Sequence, residues 1–168
     1  MSSPQLATMT LACVLETSAA AHAARPALGR ANGETIAYGT LRDHVRDLSA
    51  DLESQGVAPG DRVAILGENM PSWGIVFLAV TTMGAVAVPI LPDFSATEAQ
   101  HIVRHSGARV AFVSERLRGK LEENGDSPLR TLYRLDDFEV ITSHGEKGHL
   151  RDVLGHDGVG LGRLRDAA

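Results

Sequence analysis

The sequence predicts an α/β fold, in which an open and mainly parallel sheet is flanked by helices on both faces. Short apolar runs, of the length expected for strands buried on both faces, alternate with segments of helical periodicity. Short connections that contain glycine join them, as in right-handed crossovers between parallel strands. Aromatic residues make up only 4% of the 168 residues and hydrophobic residues 43%, which favours helices packed closely on a sheet in one domain.

The N-terminal part of the sequence predicts a helix, a hairpin and a second helix. Residues 10–24 have the pattern of an amphipathic surface helix. Residues 27–30 and 35–38 are extended segments joined by an Asn-Gly turn. Thr40 is the predicted N-cap of a helix over residues 40–55, whose leucines and valine recur at spacings of three and four.

The middle of the sequence predicts two buried strands and a very apolar helix between them. Residues 62–66 and 85–90 are the strands. Asn69 is expected to cap the helix, and Pro71 suits its first turn because the proline lacks an N–H that would be unsatisfied there. The helix, over residues 73–83, is apolar on nearly every side and must therefore be covered on most of its surface.

The next unit of the sequence is a helix with clear start and stop signals. Ser95 and Glu98 have the spacing of a capping box for a helix over residues 97–106. Gly107 is the expected stop, and residues 109–113 are the next buried strand.

The last elements are less regular. We expect a polar helix over residues 114–124 and a strand over residues 130–135. Residues 1–138 are thus predicted as an N-terminal α/β subdomain, and residues 139–168 as a truncated, irregular tail. The glycines of residues 158–162 follow no strand and precede no helix, so a flexible tail is favoured over a phosphate-binding loop.

Composition excludes several classes of function. The net charge is −5, with 16 basic and 21 acidic residues interspersed, so we expect no nucleic-acid partner. Cys13 is the only cysteine, which excludes an internal disulfide and favours a reducing, cytoplasmic setting. No apolar run reaches the ~18 residues that a transmembrane segment needs.

Four motifs, in this order and spacing, resemble the beginning of the adenylate-forming (AMP-binding) superfamily, and the likeness covers roughly residues 10–138. Within the superfamily, the third motif and the helix over residues 101–106 look most like long-chain fatty acid-CoA ligases. Each motif alone is weak, and their succession carries the likeness. The motifs are Thr35-Ile-Ala-Tyr-Gly-Thr-Leu41, Gly56-Val-Ala-Pro-Gly-Asp-Arg-Val-Ala-Ile-Leu66, Asn69-Met-Pro-Ser-Trp73 and Met83-Gly-Ala-Val-Ala-Val-Pro-Ile-Leu-Pro92.

The resemblance implies an acyl-CoA synthetase fold and a two-step reaction. A carboxylate attacks the α-phosphorus of Mg-ATP to give an acyl-adenylate, and the thiol of CoA then displaces AMP. ATP, Mg²⁺, CoA and a fatty acid or other carboxylate are therefore expected for the full-length enzyme. The family's phosphate loop, ribose-binding Asp and catalytic Lys have no counterpart here, so the chain is expected to be an inactive fragment with no catalytic residue and no bound cofactor.

The resemblance also indicates one candidate binding site. The turn of Leu91, Pro92 and Asp93 follows the carboxyl end of a parallel strand, where ligands of open α/β sheets bind. In CoA-using relatives the equivalent turn borders the CoA nucleotide, and Arg118 resembles a basic residue that contacts its phosphates. A structural turn and a solvated charge are the alternatives, and Pro92 and Asp93 replace glycines found in some CoA-binding members.

Three further features of the sequence, and the function itself, have alternative interpretations. His101 and His105 have a metal-binding spacing with Glu98 one turn earlier, but helix surface is favoured because a third convincing ligand is missing. Trp73 is expected in the core rather than in an acyl pocket. A piece of a larger sheet has an unprotected edge, so we expect a homo-oligomer. One alternative function is a stand-alone, non-catalytic module with this fold. Another is an unrelated nucleotide-binding domain, which is disfavoured because no glycine-rich loop lies between a predicted strand and the helix that follows it.

Overall fold

The computed structural model describes residues 10–31, 33, 35–122 and 127–143. Its elements follow the predicted alternation of strands and helices. In chain order they are α1 (Leu11–His22), β1 (Pro26–Gly29), β2 (Thr35–Ala37), α2 (Tyr38–Ser54), β3 (Arg62–Leu66), α3 (Pro71–Thr82), β4 (Val86–Ile90), α4 (Ala96–Ser106), β5 (Val110–Val113), a 3₁₀ turn (Glu115–Leu117), α5 (Gly119–Glu122), β6 (Thr131–Arg134) and β7 (Val140–Ser143).

In the described part of the chain the main sheet has five strands, in the order β4-β3-β5-β6-β7. β3 pairs in parallel with β4 and with β5, and β5 pairs in parallel with β6. β6 and β7 are antiparallel, and β1 and β2 form a separate antiparallel pair. The predicted fold class, an open and mainly parallel sheet with helices on both faces, is confirmed.

The two faces of the sheet carry separate apolar cores. Along β3, Val63 and Ile65 belong to a core with buried residues of α1, α2 and α3. Ala64 and Leu66 belong to a second core with residues of α4 and α5. Because successive strand side chains point to opposite faces, the uninterrupted apolar run of β3 is explained by burial on both sides.

Helix α3 is covered where it approaches the β1–β2 hairpin. A methyl group added at Gly74 would lie 3.1 Å from Cδ1 of Leu28, so the glycine permits close contact between helix and hairpin. Trp73 is half-buried against the larger core and stacks on Phe77, with 5.4 Å between ring centroids. This position agrees with the expected packing role of the tryptophan.

Two predicted helix caps are wrong. Helix α2 begins at Tyr38 rather than after Thr40, and Ala37 at the N-cap position makes no side-chain cap. Backbone groups replace the cap, because Tyr38 N and Gly39 N donate to the carbonyls of Arg25 and Ala23 at 3.0 and 2.9 Å.

The second incorrect cap is at α3. The N-cap is Met70 rather than Asn69, and the proline stands in the first turn as expected. The polar helix predicted over residues 114–124 is instead a 3₁₀ turn followed by the short helix α5.

Strand β7 corrects the expectation of an irregular tail from residue 139. A tight turn precedes it, in which Phe138 N donates to Arg134 O at 2.8 Å and Phe138 has a φ of 62°. This turn could not be predicted from residue types, because its left-handed position holds a phenylalanine instead of a glycine. Residues 144–168, with the glycines of 158–162, lie outside the described residues.

Helix length and hydropathy also bear on membrane association. Among the described residues, no helix combines the length and the apolar character required to cross a membrane.

Candidate site at the carboxyl edge of the sheet

The candidate site lies at one edge of the sheet. β3, β4, β5 and β6 are parallel, so their carboxyl ends meet on the same side. The turn over residues 91–94 follows β4, and the 3₁₀ turn and α5 follow β5. Connections at this edge are where open α/β sheets bind their ligands.

The turn after β4 is exposed at its tip and fixed at its end. Leu91 is 59% exposed, and Asp93 is also exposed. Phe94 N donates to Leu91 O at 3.1 Å, which closes the turn. Ser95 then caps α4, and its N–H donates to Glu98 Oε2 at 2.8 Å in the capping box that the sequence predicts.

Lys120 of α5 joins this turn to the connection after β5. Its Nζ donates to the carbonyl oxygens of Pro92 and Phe94, both at 2.6 Å. Gln100 of α4 donates through Nε2 to Lys120 O at 3.2 Å. Sequence reasoning missed Lys120, because its partners are backbone atoms 28 and 26 residues earlier in the chain and no motif spacing indicates them.

Arg118 precedes Lys120 by two residues, and its guanidinium binds acidic side chains. Its Nε donates to Glu122, and its Nη1 lies 3.5 Å from Glu115 Oε1. The hydrogen bond from Arg118 to Glu122 raises the pKa of the guanidinium, which keeps its positive charge at all ordinary pH values. Because its side chain is 39% exposed, part of this cation faces solvent. Within the described residues, the link to the turn is made by Lys120 instead.

The connection after β6 holds the other end of the 3₁₀ turn. Glu115 N donates to Asp136 Oδ2 at 2.8 Å. Arg134 binds Asp137 through Nε and Nη2, both at 2.7 Å, and hydrogen bonds with Asp137 raise the pKa of Arg134. The segment that carries Arg118 is thus fixed at its start by Asp136 and near its end by Lys120.

A further ion pair lies after β3. Arg116 donates to Glu68, and burial tends to raise the pKa of that carboxyl. The hydrogen bond and positive charge of Arg116 counter the effect of burial, and the pKa of Glu68 falls below its ordinary value. The carboxyl edge therefore carries paired charges of both signs.

The described residues do not provide a metal centre. No group of three or more His, Cys, Asp or Glu side chains in this part of the chain is arranged to hold a metal ion. His101 and His105 stack with 6.0 Å between ring centroids on an exposed face of α4, which agrees with the helix-surface interpretation.

The fold and the edge site define an α/β protein of the kind that binds ligands beyond the carboxyl ends of parallel strands. The AMP-binding enzyme family matches residues 15–154, and the chain belongs to this family. The resemblance read from the four sequence motifs is confirmed.

Similar proteins include ligases of more than one kind. The chain is 30% identical to the fatty acid–acyl-carrier-protein ligase ScoC of Streptomyces coeruleorubidus over 103 residues, which are 61% of this chain and 20% of ScoC. It is 38% identical to a feruloyl-CoA synthase of Amycolatopsis over 81 residues, which are 48% of this chain and 16% of that enzyme. The chain thus spans about a fifth or less of the length of these relatives.

Solved structures support the fold. The N-terminal domain of FACL13 from Mycobacterium tuberculosis matches with a TM-score of 0.65 and 24% identity, over 72% of this chain and 31% of that domain. At this identity the likeness shows the shared fold alone.

Proposed function

We propose that this chain is the N-terminal part of an ATP-dependent, AMP-forming acyl-CoA ligase. The observation that carries the proposal is the family match over residues 15–154, on a sheet whose carboxyl ends lead into an exposed turn that Lys120 holds. The reaction would join a carboxylate to the thiol of CoA through an acyl-adenylate. Ligase names among the similar proteins support this reaction class.

The proposed substrate is a long-chain fatty acid. Support comes from the motif Asn69-Met-Pro-Ser-Trp73 and from the helix over residues 101–106, and ScoC is named as a fatty acid ligase. The feruloyl-CoA synthase match makes aromatic acids the appropriate competitor substrates in a test.

The proposed CoA-nucleotide border consists of Leu91, Pro92, Asp93 and Arg118. The exposed Leu91 offers an apolar surface for an adenine ring, and the guanidinium of Arg118 offers N–H donors of the type that bind phosphate. CoA would supply the thiol that accepts the acyl group, whereas these residues would bind and orient its nucleotide end.

Residues 1–138, extended by strand β7 (Val140–Ser143) of the same sheet, would act as a subdomain that supports this border. ATP and Mg²⁺ would be held by residues outside this chain, so the chain alone is proposed to be inactive and to hold no cofactor. A cytoplasmic location fits the single cysteine.

Self-association of the chain is proposed through β4, the end strand of the described sheet. Val86 on this strand is 47% exposed. Val86 N donates to Asp61 O at 2.7 Å, so it points toward the neighbouring strand β3. Because backbone N–H groups alternate in direction along a strand, the nitrogen of Pro89 points the other way, to the side of β4 on which no described strand pairs. A proline there blocks addition of a further strand, so a second copy would make contact through side chains.

An activity assay tests the proposed function. The product of the complete reading frame that encodes this chain is incubated with ATP, CoA and palmitate or ferulate, and AMP is measured. We expect AMP release that depends on palmitate and CoA from the complete product, and none above a no-protein blank from the 168-residue chain.

AMP formation by the 168-residue chain itself would contradict its proposed inactivity. A reading frame that ends at residue 168 would favour the alternative, a stand-alone, non-catalytic binding or regulatory module. Faster turnover with ferulate than with palmitate would overturn the long-chain specificity while leaving the ligase class intact.

A further inference from the structure

We infer that Lys120 is a positioning residue, which fixes the turn over residues 91–94 and, through that turn, the nucleotide end of CoA. The second part of this inference rests on the proposed function. The first part rests only on the contacts between α5 and the turn.

The contacts of Lys120 are concentrated on one short backbone segment. Its ammonium group has three donors, and two of them reach the carbonyl oxygens of Pro92 and Phe94 at 2.6 Å. Hydrogen bonds from an ionised donor are shorter and stronger than neutral ones. A half-buried cation therefore holds both ends of the segment that carries the exposed Asp93.

The lysine is itself held in place. Gln100 of α4 donates to its backbone carbonyl at 3.2 Å, and the same helix begins at Ser95, directly after the turn. Contacts therefore connect the turn to α4, α4 to α5, and α5 back to the turn. Loss of the ammonium group would remove the contact between α5 and the turn and leave the capping box of α4 intact.

Lys120 and Arg118 have different contacts and therefore different proposed roles. Two donors of Lys120 are used on the turn, whereas the Arg118 side chain, two residues earlier in the chain, pairs with Glu115 and Glu122 and is partly exposed. Lys120 therefore sets where the turn lies, and Arg118 remains the cation on the surface. A ligand that contacts the turn would depend on Lys120 without touching it.

Amide exchange tests the positioning directly. Phe94 N–H donates to Leu91 O inside the turn, so its exchange rate reports how well the turn is held. In Lys120→Met we expect exchange at Phe94 to accelerate about tenfold, while amides of β3 keep their rates. Lys120→Arg keeps a cationic donor and should retain most of the protection.

Steady-state kinetics on the complete reading frame product test the consequence. In Lys120→Met we expect KM for CoA to rise about tenfold, with kcat and the KM for ATP within about twofold of wild type. Arg130→Met is the matched control, since it removes one exposed positive charge remote from these contacts and should leave all three constants unchanged.

The outcomes are distinguishable. Unchanged exchange at Phe94 in Lys120→Met overturns the inference, whatever the enzyme does. Accelerated exchange with an equal rise in KM for ATP and CoA shows a general structural role and also overturns it. If the wild-type product has no CoA-dependent activity, the proposed function fails, and the exchange result alone decides whether Lys120 fixes the turn.

Discussion

Arg62 Nε donates a 2.8 Å hydrogen bond to the carbonyl oxygen of Ser106, so the first residue of β3 closes the end of α4. Nη2 of the same side chain donates to Gly107 O at 3.3 Å. The last carbonyls of a helix lack partners within the helix, and a cation there is also favoured by the helix dipole. The Gly-Asp-Arg motif therefore has a structural role at the amino ends of the strands, away from the candidate site.

Substitution of Arg62 by methionine should destabilise the chain. Loss of two hydrogen bonds from a cation to helix-end carbonyls is expected to lower the free energy of unfolding by about 2 kcal/mol in urea denaturation. Arg109→Met is the control, because the exposed pair of Arg109 with Asp61 at 3.4 Å should contribute no more than about 0.5 kcal/mol. Equal losses in the two variants would contradict the capping role.

Gly107→Ala should also destabilise the end of α4. Gly107 has a φ of 66°, and a methyl group there would lie 2.9 Å from Nη2 of Arg62. The left-handed conformation alone costs about 1–2 kcal/mol for a residue with a side chain. Gly119→Ala is the control, since that position has open space and should tolerate alanine. Thermal denaturation of both variants measures the difference, and equal melting temperatures would refute the expectation.

Gly67 and Leu135 should be coupled in a double-mutant cycle. A methyl group at Gly67 would lie only 2.4 Å from Cδ2 of Leu135, which is fully buried. We expect Gly67→Ala to cost about 2 kcal/mol by overpacking and Leu135→Ala about 3 kcal/mol by leaving a cavity. In the double variant the added methyl group meets no leucine, so the loss should be smaller than the sum by more than about 1 kcal/mol. Additive losses would show that the two residues do not compete for space.

Tyr133→Phe should not destabilise the chain at neutral pH. Tyr133 is fully buried and stacks on Phe112, and its hydroxyl has no hydrogen-bond partner among the described residues. Removal of an unpaired buried hydroxyl is expected to leave the free energy of unfolding unchanged or raise it by about 1 kcal/mol. A loss greater than about 1 kcal/mol in urea denaturation would reveal a partner for the hydroxyl.

The same variant has a predictable pH dependence. Burial raises the pKa of Tyr133 to about 12, with a further contribution from Asp51, against about 10 in the unfolded chain. The folded chain therefore holds the phenol proton more tightly, and this contribution to stability is complete below pH about 10 and is lost as the pH rises toward about 12. Tyr133→Phe should lose less stability than wild type in that range, and identical alkaline profiles would contradict the shift.

Much of the fold could be predicted because its signals are local. The apolar run of β3 reports burial on both faces, and the spacing of Ser95 and Glu98 reports the start of α4. Gly107 in a left-handed conformation reports its end. These features depend on residues within one or two turns of each other, so the sequence displays them directly.

Other features depend on partners that are distant in sequence. The cap expected at Thr40 is replaced by carbonyls of the segment that follows α1, and the turn before β7 places Phe138 in a conformation usual for glycine. At the candidate site, the motif resemblance indicated Leu91–Asp93 and Arg118 but not Lys120, whose partners are backbone oxygens. Residue type and spacing carry no information about such contacts.

The proposed CoA-nucleotide border can be tested by locating CoA on the product of the complete reading frame. Hydrogen exchange is measured with and without saturating CoA. We expect CoA to slow exchange at Phe94 and in the segments Glu115–Leu117 and Gly119–Glu122, with no change around Asp61 at the amino ends of the strands. CoA-dependent protection confined to other parts of the protein, with none in the turn after β4, would contradict it.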